Sequence, residues 1–288
     1  MVVLENENLK VTINLKGAEL ISLIDKATQT EYMWQGDESI WPFHAPNLFP
    51  IVGGLNNDTL QVDGESFPMK RHGFARHRTF RRIESSPIHA QFALRFDEET
   101  LAQYPYKFEF QVIYHLSGRS LKVMYKVINQ DDKKVYFSVG GHPAFNVPFG
   151  LGEGSYEDYY IEFEHQEELY THCSASNGLL NGQIEKVLEG NKLHLHKNLF
   201  DADALVFKEL KSRSVTLKNN LNDKKIKFDF PDYKQFAVWA KPDAAFVCLE
   251  PWLGYSDTDG IENDIKEKGS IQYVDHGHVF EIDYSITV

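Results

Sequence analysis

Residues 106–127 alternate apolar and polar side chains in two successive runs. Tyr106-Lys107-Phe108-Glu109-Phe110-Gln111-Val112-Ile113-Tyr114 and Ser120-Leu121-Lys122-Val123-Met124-Tyr125-Lys126-Val127 both have period two, with Leu116-Ser117-Gly118-Arg119 between them. Side chains of a strand point alternately to its two faces, so this spacing predicts a hairpin in a sheet. Shorter runs of strand character recur at 10–14, 19–24, 89–96, 159–163, 214–217, 225–230, 236–240 and 279–286. The 34 Phe and Tyr residues suit such pleated, half-buried surfaces. Helix signals are confined to Asp97-Glu98-Glu99-Thr100-Leu101-Ala102-Gln103, which must stop before Pro105, and to a turn over 262–268 ending at Gly269. Neither resembles the crossover helix of a parallel sheet. The chain is therefore expected to be all-β, a large antiparallel β-sandwich. A single domain over 1–288 is expected, because no Pro/Ser-rich linker, low-complexity tract or fixed-period repeat divides the chain.

The formal charge of −12 argues against nucleic acid and against an anionic membrane surface as partners. A small molecule recognised locally is the expected partner. The first residues lack the basic region and apolar core of a signal peptide, and no apolar stretch is long enough to cross a bilayer. Cys173 and Cys248 are the only cysteines, which suits a reducing compartment. The expectation is a cytoplasmic protein, monomer or homodimer.

Two titratable residues stand immediately before prolines, each after an apolar run: His142 in Val135-Tyr136-Phe137-Ser138-Val139-Gly140-Gly141-His142-Pro143 and Glu250 in Ala245-Phe246-Val247-Cys248-Leu249-Glu250-Pro251-Trp252. A following proline imposes extended geometry, so both side chains are expected to project from strand ends. An imidazole and a carboxylate make a natural proton donor and acceptor pair. Gly140-Gly141 is expected to leave room for a ligand, Trp252 to offer a flat face to a sugar ring, and Phe145-Asn146 to add an apolar surface and an amide. A basic run, Lys70-Arg71-His72-Gly73-Phe74-Ala75-Arg76-His77-Arg78 with Arg81-Arg82, could meet ligand hydroxyls or a phosphate. It could equally be a wet strand face.

Four motifs occur in order: Phe49-Pro50-Ile51-Val52-Gly53, Arg71-His72-Gly73-Phe74-Ala75-Arg76, Gly140-Gly141-His142-Pro143-Ala144-Phe145 and Leu249-Glu250-Pro251-Trp252. With the closing Asp264-Ile265-Lys266 and Phe280-Glu281-Ile282 segments, nearly the whole chain resembles the aldose 1-epimerase (mutarotase) superfamily, especially its LacX-like branch. The resemblance implies a galactose mutarotase-like supersandwich with its site on one concave face. It implies His142 and Glu250 as the catalytic pair and His72 as a substrate contact. The nearest match to the family's aspartate is Asp203, offset by one residue. Many members carry a sugar-contacting arginine where this chain reads Gly53-Gly54-Leu55-Asn56-Asn57-Asp58, so Arg71 or Arg76 is a candidate replacement.

The implied activity is interconversion of α and β hexose anomers with no cofactor and no metal. Glu250 would be the base on the C1 hydroxyl and His142 the acid at the ring oxygen. His72, Arg76, Asn146, Asp203 and Trp252 would hold the sugar. Alternatives are a non-catalytic carbohydrate-binding or sensor protein, a mutarotase of a hexose 6-phosphate, and a β-sandwich glycoside hydrolase, which would want a second carboxylate near Glu250. His194-Leu195-His196 and His276-Gly277-His278 could offer imidazole pairs to a metal, or be polar positions on alternating strands.

Overall fold

A computed structural model describes residues 1–288. Two antiparallel sheets carry most of the chain. The larger has nine strands, in the order Leu180–His194, Tyr159–Ser174, Ser214–Asn219, Lys225–Asp229, Val279–Thr287, Ser120–Asn129, Phe108–Ser117, His89–Arg95 and Arg81–Ser86. The smaller has Leu205–Phe207, Gln235–Trp239, Phe246–Leu253, Val139–Gly141 and Asn47–Leu48 in that order. Ala144–Asn146 is also paired to Phe246–Leu253. The first residues form a separate four-stranded sheet of Val2–Glu5, Leu9–Ile13, Leu20–Asp25 and Thr30–Glu31.

The hairpin read from alternation is present. Phe108 opposes Asn129 and Ser117 opposes Ser120, with Gly118 at positive φ in the turn. Alternation buries Phe108, Phe110, Val112 and Tyr114 from one strand and Leu121, Val123, Tyr125 and Val127 from the other. Aromatic side chains then join the two sheets. Phe228 of the nine-stranded sheet packs on Phe145 and Phe236 of the smaller one, and Phe49 stacks on Phe110 at 4.4 Å. The buried Tyr125 hydroxyl donates to Asn47 Oδ1 at 2.7 Å, tying the sheets through a polar contact that leaves neither group unpaired.

Helix is as scarce as the sequence suggests. Asp97 caps a single turn, Glu98–Leu101, through a reciprocal hydrogen bond pattern with Thr100. The turn expected over 262–268 is only a 3₁₀ turn, Ile265–Glu267. Val2–Glu5, Thr59–Val62, Glu65–Pro68 and Arg81–Ser86 are strands outside the expected runs, and two long strands differ most. Tyr159–Ser174 continues well past the apolar run, because it pairs with Leu180–His194. That partner is an edge strand, exposed along most of its length, so its residues show no buried alternation for a sequence to display.

Candidate active site

On one flank of Phe246–Leu253, Ala144 opposes Cys248 and Gly140 opposes Trp252. The same register sets His142 opposite Glu250. Directly opposed residues of an antiparallel pair project to the same face, and the two side chains meet: His142 Nε2 lies 3.1 Å from Glu250 Oε2. Glu250 is 1 % exposed and His142 8 %. Their approach is not aligned as a hydrogen bond, and Glu250 Oε2 and His142 Nδ1 are both buried without a partner. Buried polar atoms without a protein partner take one from outside the chain, water or ligand.

Burial, followed by the negative charge of Asp203, holds the Glu250 carboxyl well above its ordinary range. Burial, followed by the positive charge of Arg76, holds the His142 imidazole well below its own. Both effects favour the uncharged pair. Trp41 lies against the His142 ring at 5.1 Å and Trp239 meets it edge-on at 5.8 Å. These tryptophans fix the ring plane and keep water from that side.

His72 comes from a tight loop in which Phe49 bridges Gly73. A Cβ on Gly73 would lie 2.3 Å from the Phe49 carbonyl oxygen, and φ there is +71°, so only glycine lets the chain approach so closely. The Gly53 N–H donates to His72 Nδ1 at 3.1 Å. Since Nδ1 accepts, the neutral ring carries its proton on Nε2. Burial and the neighbouring Arg76 keep His72 uncharged. His72 thus offers a neutral N–H donor 5.6 Å, ring to ring, from His142.

These groups line a cavity of about 590 Å³, a size suited to a small molecule. Arg71, Arg76, Asp201, Asp203, Ala204, Val206 and the 174–178 loop complete its walls. Residues 1–264 match the family model described as aldose 1-epimerase. The chain belongs to the aldose 1-epimerase family. It is 36% identical to the plasmid and chromosomal LacX proteins of Lactococcus lactis subsp. lactis, over 99% of this chain and 98% of theirs. A galactose mutarotase related enzyme from Lactobacillus acidophilus superposes with a TM-score of 0.94 at 32% identity, covering 99% of this chain and 96% of its own. A galactose mutarotase-like protein from Lactobacillus casei gives 0.93 at 32% identity, covering 100% and 99%. Family and neighbours support an isomerase of the sugar epimerase kind. No helix is long and apolar enough to cross a membrane.

In this member of the aldose 1-epimerase family, His142, Glu250, His72, Arg76, Asp203 and Trp252 share one cavity. Asn146 does not join them. Its amide donates to the Glu31 and Met33 carbonyl oxygens at 2.9 and 2.8 Å, fastening the first sheet to Ala144–Asn146. The room expected at Gly140-Gly141 is also used differently. A Cβ on Gly140 would lie 2.7 Å from Trp252 Cδ1, and one on Gly141 3.0 Å from the Tyr284 hydroxyl, so these glycines admit core side chains rather than ligand. Glu250 lies inside its strand, which continues through Pro251 to Leu253, and not at the end. Arg71 packs over Gly54, where a Cβ would sit 3.3 Å from its Nη2, so its guanidinium lies beside the stretch that lacks the family arginine.

Sequence reasoning missed Trp41, Trp239 and Asp201. Trp239 shares the parity of Ala237, which opposes Glu250, so strand register could have found it. Trp41 lies outside regular structure and carried no signal. One set of three potential metal ligands comes together, with atoms of His142, Cys248 and Glu250 within 4.8 Å of one another. Burial and the Glu250 charge hold the Cys248 thiol well above its ordinary range.

Proposed function

We propose that the chain is an aldose 1-epimerase that interconverts the α and β anomers of a hexose, with Glu250 and His142 as its proton-transfer pair. The observation that carries this is the 3.1 Å approach of the imidazole and carboxyl in a cavity of about 590 Å³. Mutarotation needs a proton removed from the C1 hydroxyl and a proton delivered to the ring oxygen. Both oxygens are bonded to C1, so the two catalytic groups must themselves be neighbours.

Glu250, as the carboxylate, takes the O1 proton while the C1–O5 bond breaks and His142 protonates O5. The C1 aldehyde turns about C1–C2. On closure, O5 attacks the other face of C1, His142 recovers the O5 proton and Glu250 returns a proton to O1. Protons balance over the cycle, and the pair needs one proton in all. Burial favours that proton on the carboxyl, 3.1 Å from the imidazole nitrogen that takes it up. Each positioned acid or base contributes about 10²–10⁴-fold. His72 Nε2–H, Asp203 and Arg76 hold hydroxyls, and Trp252 lies against the ring.

The test is polarimetry of freshly dissolved α-glucose and α-galactose. Acceleration by the protein, abolished in Glu250→Gln, is expected. Tight sugar binding with no acceleration would instead mark a non-catalytic binder on the same scaffold.

A further inference from the structure

Cys248 precedes Glu250 by two positions on Phe246–Leu253, so both side chains project to one face of the strand. On its two flanks Cys248 opposes Ala144 and Trp239, and the Trp239 ring meets His142 edge-on. His142 and Glu250 line the cavity and Cys248 does not, so the thiol sits behind the proton-transfer pair. One ligand atom each from His142, Cys248 and Glu250 falls within 4.8 Å of the other two. All three residues are buried, Cys248 completely. Glu250 Oε2, the oxygen that faces the imidazole, has no hydrogen bond partner. Anomer exchange has no use for a thiol, yet an imidazole, a thiol and a carboxyl are the three protein ligand types of zinc. The 3.1 Å between His142 and Glu250 is close to the separation of about 3.3 Å that two such ligands take at tetrahedral angles. The thiol, within 4.8 Å, need close by no more than about 1.3 Å.

We propose that His142, Cys248 and Glu250 form an inhibitory zinc site, its fourth position open to the cavity, in which the bound ion switches the acid and base pair off. Binding stands on the cluster alone, whereas the switching rests on the epimerase reading. The ion is no part of the reaction. On binding, Zn²⁺ displaces one proton from the Cys248 thiol and one from the Glu250 carboxyl, and takes the lone pair of the neutral His142 ring. Burial keeps the free thiol protonated, but a thiol that coordinates zinc loses its proton outright. His142 and Glu250 then have no proton and no lone pair to offer the sugar oxygens.

The surroundings explain why the thiol is required. Asp203 acts on Glu250, Tyr156 is near Cys248, and His72, Arg76 and Arg71 stand on the side of His142. With two anionic ligands the filled site is neutral, so no net charge is buried beside the guanidinium groups. Without the thiolate the complex would carry a charge of +1 there. Cations that refuse sulfur, such as Mg²⁺ and Ca²⁺, are therefore excluded, and thiophilic ones are selected.

The experiment joins anomer exchange of glucose and galactose, followed by one-dimensional NMR, to an optical titration of the same protein with Co²⁺. Added Zn²⁺ should abolish exchange, EDTA should restore it, and Mg²⁺ should leave it unchanged. Co²⁺ should give a tetrahedral spectrum with a thiolate-to-metal band in the near ultraviolet. Cys248→Ala should keep the basal exchange rate, lose the band and bind Zn²⁺ roughly a hundredfold more weakly, one ligand's share of a four-ligand site. Cys248→Ser serves if that variant does not fold. Zinc inhibition unchanged in Cys248→Ala overturns the proposal, as does a band that disappears in Cys173→Ala instead. Cobalt bound with no thiolate band, as His194 and His196 or His276 and His278 would hold it, overturns it equally. Zinc held through Cys248 that leaves exchange untouched overturns the switch. If no sugar is exchanged with or without metal, the epimerase reading fails, and the cobalt band with its loss in Cys248→Ala still decides the site.

Discussion

Replacing both members of the proton-transfer pair tests whether they act as one unit. Glu250→Gln keeps the side-chain volume and removes the base. His142→Gln keeps a donor near the ring oxygen but cannot exchange a proton. Each single change should lower kcat by about 10²–10⁴-fold, or roughly 3–5 kcal/mol of transition-state stabilisation. Were the two groups independent, the double variant would lose the product, about 10⁴–10⁸-fold. The structure argues otherwise. The side chains meet at 3.1 Å, and in the proposed mechanism they address two oxygens on one carbon and share a single proton, so removing either leaves the other without a partner. The double variant should therefore be no worse than the more damaged single one, within about tenfold. Polarimetry at neutral pH with saturating sugar measures all three, and thermal unfolding checks that each variant is folded. Multiplicative losses would refute the shared-proton pair, even if both residues proved essential.

Gly140→Ala should cost about 1–3 kcal/mol in urea unfolding, because the new Cβ meets Pro251 O at 2.9 Å and Trp252 Cδ1 at 2.7 Å, and backbone cannot yield; an unchanged midpoint would show that the strand relaxes freely. Asn146→Ala removes a donor from the Glu31 and Met33 carbonyl oxygens, of which Met33 keeps Gln35 Nε2 at 2.9 Å, and should lose about 1 kcal/mol of stability with KM unchanged; a raised KM would return Asn146 to the sugar site. His72 is buried and neutral, with a folded value well below 6.5. Below pH 6.5 the unfolded chain binds the proton that the folded chain refuses, so stability falls as pH drops through that range and is fully present above it. His72→Asn should flatten this slope in urea unfolding, with His142 retaining part of it; an identical slope would contradict the buried neutral ring.

Alternation made the central hairpin and most of the longer strands legible, because one face of each is packed and the other wet. Leu180–His194 stayed hidden for the converse reason: exposed along most of its length, it shows no strict alternation of buried and exposed residues. Proline following His142 and Glu250 marked the pair, and the chain's likeness to the epimerases named the same residues. Trp41 comes from outside regular structure, 101 positions before His142 in sequence, and only the fold brings the rings to 5.1 Å. Gly140 and Gly141 show a different limit. Sequence tells that space is required beside them, yet not whether a ligand or Trp252 and Tyr284 will fill it. Asn146 is similar, since its two carbonyl partners lie more than a hundred residues away.

The prolines explain why the site lies where it does. Phe246–Leu253 is a central strand, and Pro251 inside it lacks the N–H that a ladder needs. Its neighbour on one side is in two pieces, Val139–Gly141 and Ala144–Asn146, broken at His142-Pro143. The break falls opposite Glu250, and a single hydrogen bond, Leu249 N–H to the Pro143 carbonyl oxygen at 3.1 Å, crosses it. Missing donors on one strand are thus matched by missing ladder on the other. Pairing on both sides of the gap still fixes the register, so the imidazole and carboxyl are held in opposition by strands on either flank. The sheet gives up regularity at one point and keeps its alignment around it, which is what a two-group acid and base site requires.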